Sequence, residues 1–191
     1  SHAQNGIVNA MSVSEEVIEK AVEKIVDARV IYAYGSGGVS NWLCEEIQNR
    51  FFRLGSTVVP CRDGIMQSMF AATARGGDVF LCCSLGGNNQ AELEAIKIAQ
   101  EYGGYCIALC PPNTKMETAV DIAVPVETRT DYDGIDIYGP TAARYSMLLT
   151  IDLIAFIAAI KTQDSSTESL RRLKHQFVAH IEPDPTMPIS D

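Results

Sequence analysis

Five short strand-like runs, apolar but for Thr57, constrain this chain more than any other feature. Residues 30–34, 57–59, 79–83, 106–109 and 122–126 are strand-sized, and stretches with helical spacing of apolar residues lie between them. A run that is apolar on both faces suits a parallel strand covered by helices on both sides. Strands joined through helices by right-handed crossovers then predict an α/β fold, a three-layer αβα sandwich around a five-stranded parallel sheet. The expected strand order is 2-1-3-4-5. Its switch point lies between strands 1 and 3, where a ligand crevice forms at the carboxyl ends of the strands.

The helices are legible from caps and breakers. Ser12-Val13-Ser14-Glu15 is a capping-box pattern ahead of a helix over 14–27. Further helices are expected over 41–54, 64–74, the stretch after residue 90 up to Gly103-Gly104, one turn at 114–117, 140–161 and 165–179. Residues 127–139 are polar, with Gly and Asp, and read as a loop. The apolar stretch 147–160 contains Asp152 and reads as too short and too polar to span a bilayer.

Two loops carry the chemistry. After strand 1 comes Gly35-Ser36-Gly37-Gly38-Val39-Ser40, and after strand 3 comes Ser84-Leu85-Gly86-Gly87-Asn88-Asn89-Gln90. Each leads into a helix, whose unpaired N–H groups and partial positive charge attract anions. Gly35, Gly37 and Gly38 let the backbone approach a ligand, and Ser36, Ser40 and Ser84 supply hydroxyls. Neither loop is a dinucleotide fingerprint, because Gly35-x-Gly37 lacks its third glycine, and no Gly-Lys-Ser/Thr of a P-loop occurs there. Both loops should meet at the switch point, which points to an anion or sugar site.

Composition removes other classes. A net charge of −9 and a pI near 4.8 argue against binding nucleic acid or an anionic membrane by this chain alone. Cysteines 44, 61, 82, 83, 106 and 110 form no C-x-x-C pair and read as small core residues of a reducing compartment. Residues 1–11 read as a tag remnant and linker, 12–161 as one ligand-binding domain with its leading helix, and 162–191 as a C-terminal helix and acidic tail.

An ordered set of residues resembles a known family. It comprises Gly35-x-Gly37 with Ser40, Arg53-Leu54-Gly55, Asp63 with Gln67, Gly77-Asp78-Val79 leading to Ser84, and Arg144 with Ile151-Asp152. Over roughly residues 12–160 the chain resembles the sugar isomerase (SIS) domain, a phosphosugar-binding module with a flavodoxin-like sheet. Within that superfamily it is most similar to the effector domain of RpiR-type transcriptional regulators. The resemblance implies a cytoplasmic, homodimeric sensor of a phosphosugar or sugar derivative, without cofactor, metal or catalytic residue. DNA would be reached only through an N-terminal helix-turn-helix domain expected to be missing from this chain. The implied ligand residues are Gly35, Ser36, Gly37, Ser40, Ser84, Gly86, Gly87, Asn88, Asn89 and Gln90. The second loop departs from the family pattern Ser-x-Ser-Gly-x-Thr/Ser-x-Glu. Gly86 stands for the second Ser, Asn89 for the Thr, and Ala91 for the Glu unless a shift brings in Glu92. An unphosphorylated or acidic sugar therefore stays open as the ligand.

A stand-alone phosphosugar isomerase of the same fold is the alternative. It needs a general base, commonly Glu or His. Glu45, Glu46, Glu92 and Glu94 read as solvated helix faces, and His175 as a surface or packing residue of the last helix; His2 falls in the tag remnant. Arg144 reads either as an ion pair with Asp152 or a partner chain, or as a ligand contact. Trp42 reads as a packing residue, and 148–160 as a core face or dimer seam. Asp131, Tyr132 and Asp133 lack EF-hand spacing.

Overall fold

The computed structural model describes residues 13–128 and 143–180. Its centre is a wholly parallel five-stranded sheet of Val30–Tyr34 (β1), Val58–Cys61 (β2), Asp78–Cys83 (β3), Tyr105–Cys110 (β4) and Ile122–Pro125 (β5). The strand order is β2-β1-β3-β4-β5, as expected from the sequence. The helices are Glu15–Val26 (α1), Gly38–Phe51 (α2), Gly64–Ala72 (α3), Gln90–Glu101 (α4), Lys115–Ala119 (α5), Ala143–Lys161 (α6) and Gln163–His180 (α7).

Alternate residues of each strand enter opposite layers, since successive side chains of a strand point to opposite faces. Ile31, Ala33, Leu81, Ile107 and Leu109 share one core with Ile18 and Val22 of α1, Leu43 and Ile47 of α2, and Met147, Ile151 and Ile154 of α6. Tyr32, Tyr34, Phe80, Cys82 and Ala108 form the other with Ala71 of α3, Ala95, Ile96 and Ala99 of α4, and Met116 of α5. In that second layer Phe80 stacks on Tyr32 at 4.8 Å and meets Tyr34 edge-on at 5.3 Å. Gly104 lets α4 return close to the sheet, because a Cβ there would lie 2.5 Å from the Phe80 ring. Burying a phenyl group such as that of Phe80 stabilises the fold by about 1.5–3 kcal/mol.

Several boundaries move from the sequence reading, each for a physical reason. β2 runs through Pro60, paired with Ala33, to Cys61. It is an edge strand, where a residue without an N–H is tolerated. α2 starts at Gly38, three residues early, because Gly37 at φ 87° makes the turn and the glycine-rich loop itself becomes the first helical turn. Helix α6 spans 19 residues within the expected 140–161 and is long and apolar enough to cross a membrane by length and composition only, a test that the core helix of a soluble protein also passes. Here it packs one face on α1 and α2, and its Asp152 pairs with Arg50 of α2 at 2.9 Å.

The opposite end of the sheet from the loops is tied electrostatically. Asp78, fully buried at the start of β3, accepts from Arg29 Nη2 at 2.6 and 2.7 Å and from the Arg75 N–H at 3.1 Å. All six cysteines are free and buried. Burial pushes the thiols of Cys44, Cys61 and Cys106 up to about 12 and that of Cys110 to about 11.

Candidate functional site

β1 and β3 are neighbours whose following helices turn to opposite sides, so a crevice opens beyond Tyr34 and Cys83. The loop after β1 is tightly folded. Gly35 is buried, and a Cβ on it would lie 2.6 Å from the Ser40 carbonyl oxygen. Ser40 is buried in the first turn of α2, and Ser36 is half-buried between Gly35 and Gly37.

Gln67 holds this loop from below. Its side chain is fully buried, and its amide nitrogen donates to the Gly35 carbonyl at 2.9 Å and the Cys61 carbonyl at 2.8 Å. Both partners are acceptors, so the amide nitrogen faces them, and Oε1 is left buried without a partner. The Tyr34 hydroxyl in turn donates to the backbone carbonyl of Gln67. Burial raises the Tyr34 hydroxyl well above its usual range, which keeps it a donor.

The loop after β3 is built around Ser84. Its hydroxyl donates to Glu92 Oε2 at 2.7 Å and accepts from the Gly87 N–H at 3.2 Å. Ser36 of the first loop acts on the same carboxylate through its hydroxyl and its backbone N–H, both favouring the charged form. Glu92 is therefore where the two loops meet. It is 1% exposed, which corrects its reading as a solvated helix face. Burial raises its carboxyl above the ordinary 4.5, while the serine bonds pull the other way. The signal for it was present in the sequence: 92, 95, 96 and 99 form one buried stripe of α4, whereas Ala91 is exposed.

The amides of the second loop are largely spent on the fold. Asn89 is the N-cap of α4, its Oδ1 accepting from the N–H groups of Ala91 at 3.0 Å and Glu92 at 3.3 Å. Asn88 accepts from the Lys115 N–H at 3.1 Å and donates to the Gly86 carbonyl at 3.0 Å, tying the loop to α5. Gln90 donates to Glu94 at 3.1 Å on the exposed face. Gly87, at φ 64°, packs so closely that a Cβ would lie 2.3 Å from Thr114 Oγ1, while a Cβ on Gly86 would meet nothing within 4 Å. Gly35, Ser36, Ser40, Ser84 and Gly87 thus lie in the folded heart of the two loops. Gly37, Gly86, Asn88, Asn89 and Gln90 form the exposed rim.

Other candidates separate from this crevice. Glu45 pairs with Arg62 at 2.5 Å and Glu46 with Arg50 at 2.8 Å. Arg144 does not pair with Asp152; it donates to the Tyr145 hydroxyl at 3.0 Å and lies 4.8 Å from that ring. Trp42, read as packing, is 42% exposed. His175 is exposed on α7, which packs against the turn Phe52–Leu54. His2 and Asp131, Tyr132 and Asp133 lie outside the described residues. Among the described residues no group of three His, Cys, Asp or Glu could hold a metal ion.

Comparison with known proteins bears directly on this geometry, for the SIS domain profile matches residues 24–157, from α1 through most of α6. The chain belongs to the SIS domain family. A curated relative of this SIS domain is the HTH-type transcriptional regulator HexR of Pseudomonas aeruginosa, 29% identical over 166 residues, which cover 85% of this chain and 55% of HexR. The chain spans about half the length of the HexR proteins it matches. Among solved structures, the Vibrio vulnificus NanR protein complexed with ManNAc-6P superposes with a TM-score of 0.81 at 16% identity, over 95% of this chain and 69% of NanR. The sugar isomerase domain of an RpiR transcription factor from Sphaerobacter thermophilus superposes at 0.78 with 20% identity, over 90% of this chain and 95% of that one. Both likenesses place the SIS domain fold.

Proposed function

We propose that this SIS domain is the effector-sensing part of an RpiR-type transcriptional regulator and binds a phosphosugar or a related sugar derivative between its two loops. The observation that carries the reading is the meeting of Ser36 and Ser84, from the loops opening α2 and α4, at the switch point of the sheet. Their hydroxyls, with the N–H groups of both loops, suit an oxyanion, and the exposed amides at the rim suit sugar hydroxyls. The regulator relatives supply the biological side: HexR is an HTH-type transcriptional regulator, and the NanR structure holds a sugar phosphate. Sensing in the cytoplasm fits such a role. DNA contact then falls to a separate helix-turn-helix domain, consistent with the net charge of −9 on this chain.

The sensor works as a homodimer in this reading. Tyr145, Leu153, Phe156 and Ile160 form an exposed apolar stripe on α6, at spacings of eight, three and four residues. Phe156→Glu should convert a dimer to a monomer in light scattering, and an unchanged mass would remove α6 from the interface.

A thermal-shift screen against phosphorylated and unphosphorylated sugars, with every stabilising compound then assayed for turnover, tests the function. Saturation at a hundred times Kd stabilises by about 2.7 kcal/mol. A ligand that binds and returns unchanged supports a sensor. Conversion to an isomer would make the protein an enzyme.

A further inference from the structure

The donors that suit an incoming oxyanion are already held by an anion of the chain itself. The Glu92 carboxylate takes the Ser84 hydroxyl at 2.7 Å, and the Ser36 hydroxyl and N–H act on the same group and favour its charged form. It lies at the junction of both loops and is 1% exposed, so water does not screen it. A phosphate or sulfate group brought to these donors would stand against the carboxylate in a low-dielectric space.

Among the described residues no cation offsets that repulsion, since the Arg62 guanidinium, near Cys44, is paired with Glu45 at 2.5 Å. The titratable groups facing Glu92 are the thiols of Cys44 from α2 and of Cys82 and Cys83 from β3, all raised by burial and neutral. Cys110 on β4 is likewise held neutral. Asp63 at the start of α3 is turned to the N–H groups of Ile65 and Met66, and Glu117 of α5 to that of Asn113; Lys115 of α5 is exposed. The Tyr34 hydroxyl on β1 is raised and donates elsewhere.

We propose that Glu92 is a built-in occupant of the oxyanion donors, and that an anionic ligand takes them over only as Glu92 gains a proton from solvent. This rests on the sugar-oxyanion reading above and adds its regulation: binding of a dianion is coupled to the uptake of one proton. Once neutral, the carboxyl becomes a donor to the ligand oxygens it formerly excluded. The site then responds to pH as well as to ligand, with affinity highest in acid.

Sulfate is the suitable probe because its charge stays constant between pH 5 and 8, and inorganic phosphate serves beside it. Calorimetric titration of the wild-type chain with sulfate should show affinity falling about tenfold per pH unit from pH 6 to 8. Titrations in two buffers of different ionisation enthalpy should count one proton taken up per anion. Glu92→Gln keeps the shape and the acceptor for Ser84, and should bind sulfate with a flat pH profile, at least about tenfold tighter than wild type at pH 8. Equal, pH-independent affinity in both proteins overturns the proposal and leaves the sugar-oxyanion site standing. A proton count of zero in the wild type overturns it even if the variant fails to fold. Absence of sulfate and phosphate binding at every pH, in both proteins, overturns the oxyanion reading itself and this inference with it.

Discussion

Replacing Gln67 by Met tests whether the ligand loop is held from within. The substitution keeps the length of the side chain and its place in α3 while deleting the carboxamide oxygen and nitrogen. The loss is two hydrogen bonds, at 2.9 Å to Gly35 O and 2.8 Å to Cys61 O, beside a fully buried side chain. Each of the two carbonyls left unsatisfied costs about 1–3 kcal/mol. Against this, the variant no longer buries the partnerless Oε1, which returns roughly 1–2 kcal/mol. The balance is a destabilisation of about 2–3 kcal/mol, and for a domain of this size roughly 5–10 °C in Tm. The Gly35 carbonyl, once released, no longer fixes the turn that presents Ser36, so sugar-phosphate affinity should fall with stability. Thermal unfolding followed by circular dichroism, with a ligand titration at 20 °C, reads both quantities. A Tm within about 1 °C of wild type, with affinity unchanged, would refute the reasoning.

Three further outcomes follow from the same geometry. Because burial raises Glu92 above its unfolded value near 4.5, its contribution is greatest below that value and is lost as pH rises through the folded one. Urea unfolding of Glu92→Gln should therefore show a smaller loss of stability from pH 5 to pH 8, by about 1.4 kcal/mol for every tenfold difference in proton affinity between folded and unfolded chain. Gly86→Ser restores a hydroxyl at a position where a Cβ meets nothing within 4 Å, so it should fold with unchanged Tm and tighten sugar-phosphate binding several-fold in calorimetry. Ellman's reagent at pH 8 should leave the six buried thiols unreacted in the native chain and titrate all six in guanidinium.

The sheet could be read from the sequence because each strand is an uninterrupted apolar run, and a parallel strand buried on both faces permits little else. Alternating strands and helices fix a parallel sheet but not its order, so 2-1-3-4-5 is an expectation that the structure bears out. The start of α2 was not legible, since Gly37-Gly38 carries the poorest helix propensity after proline and looks like loop to its end. At the site, Ser36 and Ser84 were visible as hydroxyls on glycine-rich turns. Glu92 was misread because an isolated glutamate is normally solvated. Only the fold brings Ser36, 56 residues earlier in the chain, against it. Asn88 and Asn89 illustrate the converse: an amide beside a helix start looks the same in sequence whether it caps the helix, braces a neighbouring turn or greets a ligand. Here the first two uses are on view. A paired alanine change at Ser84 and Asn89 would accordingly mix a lost cap, worth about 1 kcal/mol, with any lost ligand contact.

The most direct test of a sugar-phosphate sensor site is a calorimetric titration of one stabilising sugar phosphate into the wild-type chain and into Ser36→Ala/Ser84→Ala, at matched pH and with both proteins shown to be folded. The site described here predicts saturable binding to the wild type, recovery of the sugar phosphate unchanged, and loss of at least about a hundredfold in affinity in the double variant. Undiminished binding by the double variant would contradict it.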